Sequence, residues 1–394
     1  MKKTIFGCLG VLMLAACTAD RTYDLVIQNV GLFDGERDLG MVNLAINADS
    51  IAAISVKPLV SDSVIDGTGK YLVPGMVNSH AHIWEASHLK EAYRAGVLAN
   101  MGMHASDPSR DGRMKELGLE NGHAYYYTAG VSATVPGGHP TQITPRIETI
   151  NDSVSVQQFV DHRIGEGADY IKIIKESSPW FENPEGLPSL PYDSIRKIID
   201  YTHSKGLKAV VHIGSLDEIV QAAPLRPDGF VHLWYLSTNS ELTDEKLNIL
   251  RESGAFVVPT ALINERAILF AENEAGPFAA WAQENFLSME DLREVIKRVH
   301  KADIVLLAGT DNGNLDLNWG DDLVNELIIY GQSGINNIEV LKTATGNPAK
   351  VWGIPVGFLE VGSKANMLLV NGNPLEDLQK LRDINLIWKN GKVE

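Results

Sequence analysis

Pro74-Gly75-Met76-Val77-Asn78-Ser79-His80-Ala81-His82 is the stretch on which the fold turns. A short apolar run leads into a His-x-His pair. Alternate residues of an extended strand point to one side, so His80 and His82 can face one ion together. A lone His-x-His is weak, because histidines on strands are often only packed. The pair gains meaning from later runs that end the same way. His212 ends KAVVHI, His232 ends GFVHL, and Asp311 follows IVLLAGT.

From about Val73 to Val351, apolar strand-like runs alternate with amphipathic helical stretches, the pattern of parallel βα units. The candidate strands are Met76–His82, Gly96–Met103, Ala124–Ala129, Tyr170–Ile174, Ala209–His212, Phe230–His232, Phe256–Val258 and Ile304–Leu307. That number of parallel strands over roughly 250 residues predicts an α/β (β/α)8 TIM barrel, whose active sites lie at the C-terminal strand ends. Helical stretches Asp193–Lys205 and Met289–Lys301 precede strands five and eight. Ser194 near the start of the first and Gly206 past its end read as caps. Residues 17–72 and 352–394 are rich in short strands, with hairpin dipeptides at Asp34-Gly35 and Asp66-Gly67. The two ends are expected to pair into one small β-sandwich domain around the barrel of residues 73–351.

Composition narrows the function. The 394 residues carry 50 acids against 34 bases, a formal charge of −16, so no basic footprint for nucleic acid exists. Both cysteines, Cys8 and Cys17, fall in the first 17 residues, which excludes a disulfide framework or cysteine zinc site elsewhere. Lys2 and Lys3, an apolar run from Ile5 to Leu14, and Leu14-Ala15-Ala16-Cys17 resemble a bacterial lipoprotein signal. Residues 1–16 would be removed and Cys17 would carry the lipid. With Thr18 after it, the expected location is the outer membrane, facing the periplasm or the cell surface.

Histidines and an aspartate at four strand ends of one barrel are hard to explain as packing. Lys172 adds a sharper feature, since it sits within the apolar run Tyr170-Ile171-Lys172-Ile173-Ile174. An unpaired buried ammonium is costly, so its amine should become neutral. A neutral amine can take up carbon dioxide as a carbamate, a bidentate group able to bridge two ions. The plainer role is an ion pair inside the barrel. Lys175 has the opposite strand parity or lies past the strand, which suits substrate or surface contact.

The assembly resembles the metal-dependent amidohydrolase superfamily, over nearly all of the chain after the signal. The likeness rests on VPGMVNSHAH, GADYIKI, VVH, FVH and AGTD, then on Ala344 to Ala349 and Gly362 to Asn366. It is most similar to the imidazolonepropionase-related branch with Xaa-Pro and Xaa-Arg dipeptidase-like enzymes, which Pro136-Gly137-Gly138-His139 also resembles. The resemblance implies two divalent ions, with zinc the first candidate and manganese or iron also suited. His80, His82 and Asp311 would hold one ion, His212 and His232 the other, and carboxylated Lys172 would bridge them. It further implies a bridging hydroxide with Asp311 as general base, cleaving a C–N amide bond of a dipeptide, N-acyl amino acid or similar small molecule. Two departures stand out: Asn78, where many relatives have Asp, and Lys175-Glu176, where relatives often carry small residues.

His139 is a second catalytic candidate, contacting the substrate or its oxyanion. Trp84, Trp180, Trp234 and Tyr235 follow strand ends and could line a pocket. His88, His104, His123, His162, His203 and His300 read as surface or packing residues. Two other functions compete with the dinuclear hydrolase. One is a mononuclear cyclic-amide hydrolase or deaminase of the imidazolonepropionase type, whose relatives generally lack the strand-four lysine. The other is a non-catalytic binding lipoprotein, which has no need of Asp311 beside an ion. Homo-oligomers are compatible with either enzyme reading, and the sequence leaves the substrate open.

Overall fold

The computed structural model describes residues 22–177, 185–234, 241–273 and 275–393. The barrel strands are one, Met76–Ala81; two, Val97–Gly102; three, Tyr125–Thr128; four, Tyr170–Lys175; five, Lys208–Ile213; six, Gly229–Val231; and seven, Phe256–Val258. Strands one to three pair in parallel, as do four to seven. Backbone hydrogen bonds close the two sheets into a ring. Asp169 N donates to Thr128 O at 2.8 Å and Ala133 N to Lys172 O at 2.8 Å, joining strands three and four. On the far side strand eight contracts to one bridge, Val257 to Leu306. It meets strand one through Ser79 N donating to Ala308 O at 2.8 Å and Asp311 N to His80 O at 2.9 Å. The expected strands therefore stand, with ends moved by a residue or two.

The strands are buried on both faces, which is why they read as near-continuous apolar runs. One continuous core joins the barrel to the helices outside it. The helix Met289–Lys301 starts on Ser288, whose hydroxyl accepts from Asp291 N at 3.1 Å, and buries Leu292, Val295, Ile296 and Val299. The helix before strand five spans Tyr192–Ser204, and Ser194 does not cap it. Pro191 occupies the N-cap position in an extended conformation with no side-chain bond, so the proline sets the entry angle and Ser194 falls inside the first turn. Gly206 does lie past the helix end, at φ +75°.

The chain ends build the small β-sandwich domain. In its main sheet Lys70–Pro74 lies between Leu25–Phe33 and Met367–Asn371, with Asp38–Asn47 and Ser50–Ser55 beyond one and Ile384–Lys389 and Lys392–Val393 beyond the other. Its own core includes Ile27, Leu44, Leu72, Leu369 and Trp388. Gly75 alone separates Lys70–Pro74 of this sheet from barrel strand one, so a single residue forms the joint between sheet and barrel. Lys389 reinforces it: its buried ammonium donates to the carbonyls of Gly118, Glu120 and His123 at 2.6, 2.7 and 2.7 Å. Among the described residues no helix is long and apolar enough to cross a membrane. Cys17 lies outside them.

Candidate metal centre

Strand one delivers His80 and His82 to the same side, as their spacing requires. Asp311 Oδ1 lies 3.3 Å from His80 Nε2 and 2.9 Å from His82 Nε2. His232 adds its imidazole, and donor atoms of His80, His232 and Asp311 fall within 4.8 Å of one another. The His212 ring sits 4.6 Å from that of His232, and Lys172 Nζ 3.4 Å from His80 Nε2. All six residues face one cavity. The six ligands read from the sequence are thus brought together from strands one, four, five, six and eight.

Local structure explains how. Gly309 on strand eight has no side chain because a Cβ there would stand 2.7 Å from His80 N. Asn78 ties the same strands: its amide donates to Thr310 Oγ1 at 2.9 Å, and its Oδ1 accepts from His80 N at 3.1 Å and Thr310 N at 3.2 Å. The departure at Asn78 is therefore a neutral clamp behind the ligands. His232, Thr260 and Asp311 have φ of 71°, 50° and 57°. That left-handed region is costly for residues with a Cβ, and such strain clusters at functional sites. Thr260 Oγ1 donates to Pro259 O at 2.7 Å, so its 2.8 Å contact with His232 makes Nδ1 the donor. The His232 Nε2 lone pair is left for an ion.

Electrostatics agree with a cation site. Burial, then the charge of Lys172, lowers His80 to about 3. Burial likewise holds His212 and His232 well below the usual imidazole range, so their lone pairs are available. Burial brings Lys172 down to about 8, with Asp311 opposing, so a neutral amine is accessible as expected. Burial alone would raise Asp311, but His80 and His82 more than offset it and keep the carboxylate ionised. His80 Nδ1 is buried with no hydrogen-bond partner among the described residues. Buried imidazoles held neutral beside a carboxylate are a donor set suited to a divalent cation.

Around this floor the structure corrects several expectations. His139 does line the cavity, its ring 5.2 Å from that of His212, with Gln142 Nε2 2.8 Å from its Nδ1; burial lowers it to about 4. Trp84 also lines it and stacks on His82 at 6.1 Å. Lys175 does not: it ends strand four with Nζ 4.9 Å over the Tyr192 ring and 3.3 Å from Ser177 Oγ, because its parity turns it outward. Trp234 is fully buried in the core rather than on the cavity wall. Tyr235 and Trp180 lie outside the described residues.

Two site residues were missed. His104 is no surface histidine; it lines the cavity, and burial lowers it to about 3. Glu176 Oε2 lies 3.2 Å from His212 Nε2, in space that a Cβ at Gly214 would fill. Its parity with Lys172 was the available signal.

A model of the amidohydrolase family matches residues 71–394. A 5-methylthioadenosine/S-adenosylhomocysteine deaminase of Thermoanaerobacter pseudethanolicus is 23% identical over 88% of this chain and 85% of its own length. An allantoinase of Salmonella choleraesuis is 34% identical over 20% of this chain and 17% of itself. A Xaa-Pro dipeptidase crystallised with methionine in its active site superposes with a TM-score of 0.81 at 18% identity, covering 94% of this chain and 99% of that one.

Proposed function

Because the chain belongs to the amidohydrolase family of hydrolases acting on carbon–nitrogen bonds, we propose that it cleaves a linear amide at a two-ion centre. The substrate class spans dipeptides, N-acyl amino acids and related amides. The observation that carries this reading is Lys172, buried at 3.4 Å from His80 amid four imidazoles and Asp311. His80, His82 and Asp311 would hold one ion, His212 and His232 the other, and Lys172, carboxylated, would bridge them. Two such ions supply a nucleophile ionised near neutral pH and polarise the substrate carbonyl.

The remaining roles belong to the side chains. Asp311, ionised and turned into the cavity, accepts the proton of the attacking water and returns it to the leaving nitrogen. His139 faces the acyl oxygen as a neutral donor. His104 Nδ1 accepts from Ser132 N at 3.3 Å, so its proton sits on Nε2, another neutral donor. Trp84, partly exposed and stacked on His82, lines the cavity beside them.

The test is a panel of dipeptides, N-acyl amino acids, lactams and cyclic ureas with zinc-loaded protein. Linear amides should be cleaved, and chelation should abolish turnover. Ring opening or deamination alone would favour a second reading, a mononuclear cyclic-amide hydrolase or deaminase, which similarity to the deaminase along most of the chain supports. We also propose that Cys17 is lipidated and tethers the enzyme to the outer membrane. Cys17→Ser should then move it to the soluble periplasmic fraction, and persistent membrane association would count against the tether.

A further inference from the structure

The cavity above the metal ligands measures about 410 Å³, and its walls differ in character from its floor. The floor is polar. The upper wall is formed by Ile143, Ile263, Ala267, Phe278, Phe286 and Leu315. Four of these come from one helical hairpin after strand seven, Ala261–Asn273 and Pro277–Asn285, and the residue that ends it. The Phe278 and Phe286 rings lie 6.4 Å apart edge to face, and Ala279 and Ala282 pack the hairpin on Ala271 behind them.

Charge is missing from that wall. Among the described lining residues, the aspartate and lysine are Asp311 and Lys172, both in the metal centre, and no arginine is present. Lys175, the nearest spare lysine in sequence, is spent over Tyr192. Residues 178–184 and 235–240, which follow strands four and six, contain neither Lys nor Arg. The wall's polar groups include neutral ones, His104 and the buried Asn264. His104 Nε2 is buried without a partner among the described residues and presents an uncharged donor.

We infer that the site takes neutral amides bearing a bulky apolar substituent and discriminates against substrates with a free carboxylate. An apolar group seated against Phe278 and Phe286 leaves water for a surface of its own kind. A carboxylate in the same place loses its hydration and meets no lysine or arginine among the described residues of that wall. The inference rests on the hydrolase reading above and narrows its substrate.

N-phenylhexanamide and N-hexanoylglycine share an acyl chain and differ only on the amine side. Binding of each to the zinc-loaded full chain is measured by calorimetry, and cleavage by product release. The anilide should bind and be cleaved about tenfold or more better, a difference of about 1.4 kcal/mol. Phe286→Ala should erode that preference, and Ile263→Arg, which sets a cation on the wall, should shift it toward N-hexanoylglycine. Equal or tighter binding of N-hexanoylglycine overturns the inference, as does binding of neither. A preference that survives both substitutions overturns it too. If the anilide binds preferentially but no amide is cleaved, the apolar site stands and the hydrolase reading falls.

Discussion

Lys172 Nζ lies 3.4 Å from His80 Nε2, reaching from strand four to strand one across the barrel. Burial brings this amine to about 8, within range of neutrality, even with the Asp311 carboxylate opposing the shift. Carboxylation would turn it from a cation beside imidazoles into an anion between ions. Apo-protein reloaded with zinc should therefore take up more metal with bicarbonate than in carbon dioxide-free buffer. Equal uptake in both, read by elemental analysis, would argue that no carbamate forms.

Asp311 contacts both His80 and His82 and is the carboxylate positioned to move a proton. Asp311→Asn keeps the shape and one potential ligand oxygen but removes the base. The turnover number should fall about 10²- to 10⁴-fold, measured on protein whose metal content is determined alongside. A loss below tenfold in fully loaded protein would move the base elsewhere.

Asn78 clamps strands one and eight behind the ligands. Asn78→Leu leaves the buried amide of His80 without this acceptor and Thr310 N with only its 3.3 Å contact to His80 O, at a cost of about 1–3 kcal/mol for a group left unpaired. Asn78→Asp keeps both acceptor bonds and should be milder. Thermal melting of the two variants checks the order, and an equal or reversed ranking would mean that the clamp does not support the site.

Glu326 supports the cavity wall from behind. Its carboxylate accepts from Ala261 N at 2.9 Å and Leu262 N at 2.7 Å, the first turn of the helix that carries Ile263 and Ala267. Burial raises it from the ordinary 4.5 to about 7. The folded chain then holds more protons than the unfolded chain between those values, so stability falls as pH rises through that window, by on the order of 3 kcal/mol. Glu326→Gln should remove this slope, so the variant gains on the wild type between pH 5 and 7.5. Parallel melting curves across that range would show that the group is not held protonated.

Much of the centre was legible because its chemistry is written at strand ends. His80, His82, His212, His232 and Asp311 each close an apolar run, and period-two alternation decides which residues share a face. Lys172 was legible because a charge inside Tyr170–Ile174 violates the pattern around it. What escaped depends on loops and packing. His104 stands two residues past strand two, where parity no longer binds, and only contact with Ser132 turns it inward. Glu176 shares the parity of Lys172 but follows strand four, and it meets His212 only once strands four and five are in register. The apolar wall comes from a helical hairpin whose function-facing side has no motif. Ser194 failed as a cap because Pro191 dictates the turn before it.

The metal content of Lys172→Ala beside that of the wild-type chain bears most directly on the two-ion account. Wild-type protein should hold about two divalent ions per chain. The variant should lose metal and activity together, and a small carboxylic acid should restore part of both. Two ions retained in Lys172→Ala would contradict the bridging role and the centre built on it.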